Sequence, residues 1–341
     1  MPPPPPPPSS SLDQLRAHTT IVADTGDFNV LSLYRSQDAT TNPSHILAAS
    51  RRPEYAHLLH AAVAHARADP TTAAAAASDP DARVDAALLH LLVLFGCEIL
   101  QHVPGRVSTE VDPALSFSAD ATVAYARRIV AAYAARGVGR ERVLVKIAAT
   151  WEGLLACETL EREGIRCNVT LLFGLRPQAM RAAEVGATLV SPFVGRTLDW
   201  WVKERPGVDF SGRKDPGVVM CREVWEWYRG RGVETEVMGA SMRSVSECKE
   251  LCGLDAMTIN VGLLEELKGA EVEMRPVLVR EKVAKQDASV KVKSYADDEA
   301  AFRMDLFNDH AAHDKMTDML RQFLRDGEAT KAALKELLQS S

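Results

Sequence analysis

A short apolar run, a polar stretch and then a helix-like segment recur along this chain, and no other feature narrows its fold so much. Eight apolar runs lie at residues 20–23, 38–41, 106–110, 143–148, 167–173, 188–192, 234–239 and 256–260. Helix-like segments between them include 123–136, 151–163, 177–185, 216–229 and 245–252, and Gly164 and Gly186 close two of these. Strands that alternate with helices pair in parallel through right-handed crossovers. Eight such strands within 341 residues predict an α/β fold: a single (β/α)8, or TIM, barrel over residues 12–341.

The remaining segments are read more simply. Residues 1–11 are a proline run followed by serines, with neither a cationic start nor an apolar core. They predict a disordered, polyproline-type tail rather than a secretory signal. A spacer is its plainest role, and docking of a proline-binding domain is the alternative. The alanine-rich tract 69–83 reads as a surface loop or a helix extension, and the polar, lysine-rich stretch 281–298 as a surface connection. Residues 313–338 predict a terminal amphipathic helix with Met316, Leu320, Phe323 and Leu324 on one face, interrupted at Gly327.

Composition excludes several classes of function. With 46% hydrophobic and 25% charged residues the chain has the makings of a large core. A net charge of −6 with both signs interspersed argues against a nucleic-acid partner. No segment reaches the ~18 apolar residues of a membrane helix, so no membrane association is expected, and the cytoplasm is the expected compartment. The six cysteines form no CxxC pair and read as reduced thiols; Cys248 and Cys252 share a predicted helix but lack further zinc ligands. The histidines, His45 among them, fall on predicted helices or loops, and no HExxH or glycine-rich nucleotide motif occurs. Neither a metal nor a cofactor is expected.

In a parallel barrel the loops after the strands converge on one mouth, so polar residues there carry the chemistry. The strand ends offer Asp24; Thr40, Thr41 and Asn42; Glu110 and Asp112; Lys146; Asn168 and Thr170; Ser191 and Arg196; Ser241 and Arg243; Thr258 and Asn260. Lys146 is the sharpest, set in the apolar run VLVKIA. Alternation along a strand gives it the same face as Leu144 and Ala148. A lysine directed into a barrel is costly unless paired or functional, and a desolvated amine is a nucleophile. The competing reading is a packed stem whose head reaches water or a carboxylate. Asp24 and Glu110 are candidate acid and base groups, or else helix caps and ion-pair partners. Asp27, after Gly26, reads as a cap or turn residue. Arg196 and Arg243 with Ser241 make a plausible phosphate clamp, because guanidinium groups bind phosphate through paired hydrogen bonds.

Several ordered stretches carry a resemblance: VADTGD at 22–27, DATTNPS at 38–44, PGRVSTEVD at 104–112, VLVKIAATWEG at 143–153, GIRCNVTLLF at 164–173, LVSPFVGRTLDW at 189–200, DPGV at 215–218 and VMGASMR at 237–243. Over roughly residues 12–323 the chain resembles transaldolases, Schiff-base enzymes of the pentose phosphate pathway. The resemblance implies that Lys146 forms the Schiff base, that Asp24 transfers protons and that Glu110 acts through a water. It also implies that Thr40, Asn42, Asn168, Thr170 and Ser191 hold the sugar and that water. By the same resemblance Arg196, Ser241 and Arg243 bind the phosphate, and Phe193 lies in the mouth. The implied reaction moves a dihydroxyacetone unit from a ketose phosphate, fructose 6-phosphate or sedoheptulose 7-phosphate. The acceptor is an aldose phosphate, erythrose 4-phosphate or glyceraldehyde 3-phosphate. Sugar phosphates are thus the expected partners, and a homodimer stands as one option for the assembly. The chain departs from the family pattern at Ala149, at residues 174–178, at residues 260–262 and at Met304. The 174–178 departure motivates an alternative, a fructose 6-phosphate aldolase-like or pathway-specialised enzyme. A non-catalytic barrel scaffold is the other.

Overall fold

A computed structural model describes residues 10–69, 81–285 and 292–340. The strands are β1 (Thr20–Asp24), β2 (Asp38–Thr40), β3 (Val107–Glu110), β4 (Val143–Ala148), β5 (Cys167–Leu172), β6 (Leu189–Pro192), β7 (Glu236–Gly239) and β8 (Ala256–Asn260). They form one closed barrel in chain order. Each strand pairs in parallel with the next, and β8 returns to β1 with Val22 opposite Thr258 and Asp24 opposite Asn260. The eight predicted runs match these strands to within two residues at each end.

Alternation divides the apolar residues between two cores. Val22, Leu144, Leu189, Met238 and Ala256 form a small cluster of their own. Val143, Val145 and Ile147 of β4 join the larger core with the helices. Leu144 and Lys146 therefore share the inner face, two residues apart, with Leu144 in the plug and Lys146 one level nearer the strand ends.

Caps explain why the connections fold where they do. The Thr150 hydroxyl accepts Gly153 N to start helix Trp151–Arg162, and the Asp215 carboxylate accepts Gly217 N and Val218 N ahead of Pro216. The link from β2 to β3 is the long one. It carries helices Pro43–Ser50, Ala56–Ala68 and Ala82–Leu100, none of which the periodicity had singled out.

Four expectations need correction. The terminal helix runs unbroken from His310 to Gln339, so Gly327 does not interrupt it. Tertiary packing overrides glycine's weak helix propensity there: Phe323, Thr330 and Leu334 are buried on either side of it. Asp27 precedes the turn Phe28–Leu33 without capping it; its carboxylate instead accepts Tyr55 Oη and pairs with Arg52. The helix expected over 245–252 stops at Glu250, which leaves Cys252 beyond its end. The segment expected as a helix over 177–185 is a π turn, Leu175–Ala179, followed by the short helix Met180–Glu184.

Of the expected tail, residues 1–9 lie outside the described residues. Ser11 is buried and begins helix Ser11–Arg16, with its N–H bound to Ala270 O and its hydroxyl to Val272 O. The tract at 70–80 and residues 286–291 also lie outside the described residues.

Candidate active site

The strand ends surround a cavity of about 170 Å³. Of the predicted site residues, Asp24, Thr40, Asn42, Lys146, Thr170, Ser191, Phe193, Arg196, Ser241 and Arg243 all line it. Two stand behind this lining. Glu110 lies beside Lys146 on the neighbouring strand, and Asn168 is buried where its amide donates to Ser108 Oγ at 3.1 Å and its carbonyl accepts Ser191 Oγ at 2.7 Å.

Lys146 Nζ sits inside the ring of strands, with 5% of its side chain exposed. It donates a hydrogen bond to Thr41 O at 3.1 Å and lies 3.2 Å from Glu110 Oε2. The Glu110 contact has the distance of an ion pair without the alignment of a hydrogen bond, for Oε2 is buried and lacks an aligned donor. Burial pushes the Glu110 carboxyl above its ordinary value, against the opposing pull of Lys146. Register explains the contact: Glu110 on β3 and Asn168 on β5 are the lateral neighbours of Lys146.

Asp24 behaves oppositely. Burial raises its pKa, but the charge and hydrogen bond of His45, the charge of Lys146 and the Thr40 hydroxyl together bring it down to about 2. Thr40 Oγ1 lies 3.0 Å from Asp24 Oδ1 and 2.8 Å from Thr258 Oγ1. Neither Asp24 nor Glu110 caps a helix. Asn42 does: its side chain accepts His45 N at 2.9 Å and starts helix Pro43–Ser50, so part of its polar capacity is spent on the backbone. Thr170 Oγ1 is buried without a protein partner, which leaves a hydroxyl beside the cavity to meet water or a ligand.

The part of the lining that follows β6 and β7 is cationic. Arg243 Nη2 lies 2.9 Å from Asp199 Oδ2, and Arg196 Nη1 lies 4.0 Å from the same atom. One carboxylate thus faces two guanidinium groups. Burial and the neighbouring Arg243 pull Arg196 below the ordinary arginine range, so an added anion would be welcome. The backbone here is shaped for close approach. Ser241 holds a left-handed φ of 61°. A Cβ at Gly195 would collide with Ser241 O and Arg243 Cγ. Behind this wall the Glu247 carboxylate accepts Arg243 N. Burial, reinforced by Asp215, pushes Glu247 up to about 7.

Several cavity-lining residues carry little sign of that place in the sequence, His45 and three residues of the terminal helix above all. His45 reads in sequence as one of several helix or loop histidines, yet its Nε2 lies 3.1 Å from Asp24 Oδ1 and it lines the cavity. Its sequence signal is its place three residues after Asn42, at the end of β2. Met319, Gln322 and Phe323 of the terminal helix also line the cavity. A helix remote in sequence leaves no local sign that it crosses a barrel mouth. Asp112, a strand-end residue in sequence, belongs elsewhere: it caps the turn Pro113–Leu115 and pairs with Lys331 at 2.8 Å.

The departures at 149, 174–178 and 304 add no cavity-lining residue. Gln178 is buried, accepts Phe173 N and donates to Leu171 O and Ala149 O. Phe173 in turn packs edge-on against Phe193, with centroids 5.5 Å apart. Met304 is 58% exposed on the outer surface. Asn260 lines the cavity and caps helix Val261–Gly269. Among the described residues, one group of metal-ligand side chains lies close together: Cys157, Glu161 and Cys167, on the outer side of β5. Glu161 Oε1 there already accepts Cys167 N and Thr188 N. No helix among the described residues is long and apolar enough to cross a membrane.

Comparison with known proteins finds relatives over nearly the whole chain. The family described as Transaldolase/Fructose-6-phosphate aldolase matches residues 21–334. A transaldolase of Marinomonas sp. is 45% identical over 327 residues, covering 96% of this chain and 99% of the relative. A transaldolase of Schizosaccharomyces pombe is 44% identical over 331 residues, covering 97% and 99%. A transaldolase of Saccharomyces cerevisiae is 46% identical over 318 residues, covering 93% and 92%.

Proposed function

Because this chain belongs to the transaldolase/fructose-6-phosphate aldolase family, an enzyme family that transfers aldehyde or ketone residues, we propose that its cavity moves a dihydroxyacetone unit between sugar phosphates through an imine on Lys146. The observation that carries the reading is a buried amine and two arginines lining one cavity.

Arg196 and Arg243, with the Ser241 hydroxyl, take the donor's phosphate and direct its carbonyl toward Lys146. Glu110, its carboxyl raised by burial, accepts the proton that the lysine loses and returns it through a water as the carbinolamine collapses. The imine then withdraws the electron pair of the adjacent carbon–carbon bond. Asp24, an anion at neutral pH, takes the proton of the hydroxyl next to that bond. The aldose phosphate leaves, and a second one accepts the three-carbon unit by the reverse steps. Asn42, Thr40, Thr170 and Ser191 supply hydrogen bonds to the sugar hydroxyls. Asn168 acts by orienting Ser191.

The reaction is assigned to the cytoplasm, where the six thiols, all free, stay reduced. The departure at 174–178, which motivates the aldolase-like alternative, adds no residue to the cavity lining and meets it through Phe173 against Phe193. Borohydride reduction in the presence of fructose 6-phosphate tests the reading. A stable adduct on Lys146, absent in Lys146→Arg, is the expected result. A folded wild-type protein that traps nothing would sink it.

A further inference from the structure

We propose that His45 and Asp24 form one proton-transfer dyad, in which His45 holds and returns the proton that Asp24 exchanges with the sugar hydroxyl. The inference rests on the reading of Asp24 given above and adds a residue to it.

Geometry carries the first part. His45 Nε2 lies 3.1 Å from Asp24 Oδ1, and both side chains line the cavity with partial exposure, 29% and 18%. The ring is held in place from behind. Its backbone N–H is bound by Asn42 in the first turn of helix Pro43–Ser50, and that turn follows β2, the neighbour of β1. The contact is therefore built by the barrel and is not an accident of a long surface side chain.

Chemistry carries the second part. A general acid or base works best when its pKa lies near the working pH. Asp24, held down to about 2, is ionised throughout the neutral range and cannot store a proton alone. Its imidazole neighbour can. Burial lowers the pKa of His45, but the charge and hydrogen bond of Asp24 overcome this and raise it above 6.5. The charged groups facing His45 are Asp24 from β1, Glu110 from β3, which raises it, and Lys146 from β4, which lowers it. From the terminal helix, Asp326 reaches the adjacent Ser44 hydroxyl. The pair thus holds a single exchangeable proton, kept on the imidazole and not on the carboxylate.

The step balances without a co-reactant. In cleavage, with His45 neutral, the hydroxyl O–H bond breaks and its proton passes to Asp24 and on to Nε2. The carbon–carbon bond breaks, its electron pair moves into the Lys146 iminium to give the enamine, and a carbonyl forms at the former hydroxyl carbon. In the addition half-reaction the enamine carbon bonds to the acceptor's aldehyde carbon and the iminium on Lys146 is restored; the aldehyde oxygen takes a proton through Asp24 from Nε2, and His45 returns to the neutral form. His45 acts through Asp24 and is a positioning and proton-holding residue.

Two measurements test the dyad. The first is the pH dependence of kcat/KM for the ketose phosphate in the wild type, His45→Gln and His45→Asn. Either amide keeps a hydrogen-bond donor but does not titrate. In the wild type the rate should rise through an ionisation above 6.5; in both variants that limb should vanish and kcat should fall roughly 100-fold. Borohydride trapping on Lys146 should persist in the variants. The second is an NMR titration of the imidazole C2 protons. One histidine should titrate above 6.5 in the wild type and lower in Asp24→Asn, a readout that does not need turnover. An unchanged limb with trapping intact would overturn the dyad and leave the Schiff-base reading standing. Loss of trapping in the wild type would overturn the Schiff-base reading itself, and the proton-transfer role with it.

Discussion

Arg196 and Arg243 reach the cavity from the loops after different strands and share one counter-ion, Asp199. Charge-assisted hydrogen bonds of this kind are worth about 1.5–3 kcal/mol. Arg243→Ala should therefore raise KM for a phosphorylated donor roughly 10- to 100-fold, while trapping of unphosphorylated dihydroxyacetone on Lys146 stays near the wild-type level. Equal losses with both ligands would count against a phosphate role. Glu247, behind the same wall, makes a claim about stability. Its folded pKa, about 7, exceeds its ordinary 4.5, so the folded state binds more protons across that interval. Stability from this group is present below pH 4.5 and declines as pH rises toward 7. Glu247→Gln, which keeps an acceptor for Arg243 N, should flatten that decline in Tm and leave Tm at pH 8 above that of the wild type. A Tm profile parallel to the wild type would refute the assignment.

At the scale of elements, the terminal helix His310–Gln339 is expected from the sequence but its place at the cavity is not. It brings Met319, Gln322 and Phe323 to the cavity, while Asp326 meets Ser44 and Lys331 meets Asp112 and Asp85. It therefore ties the first helix after β2 to the loop after β3. Gly327 lies in its middle with no heavy atom within 4 Å of where a Cβ would stand. Gly327→Ala should stabilise the protein by about 0.5–1 kcal/mol, since alanine favours the helix and nothing obstructs its methyl. Denaturant unfolding measures this, and a destabilised variant would show that the position needs glycine for some other reason.

The whole molecule is a ring of eight strands with its apolar plug on one side of Lys146 and its polar mouth on the other. This layering gives an amine a desolvated setting and an open path to substrate at once. The chemistry proposed uses the chain's own lysine, carboxylates and arginines throughout. Activity measured after EDTA treatment should accordingly match the untreated enzyme, and activity lost to EDTA and restored by a divalent ion would contradict the mechanism.

Periodicity, the alternation along β4 and the ordered motifs settled the barrel, the strand positions and most of the cavity lining from the sequence alone. They sufficed because a period of two and a helix after each strand are local properties, and because a closed parallel barrel carries every strand end to the same mouth. Local order could not decide what depends on contacts remote in sequence or on a competing local bond. Gly327 remains helical because neighbouring elements bury its helix. Asn42 serves as a cap as well as a wall, and His45 sits against Asp24 because helix Pro43–Ser50 starts beside β1. Those placements come from packing free energy summed over the fold, which outweighs the preference of any single residue.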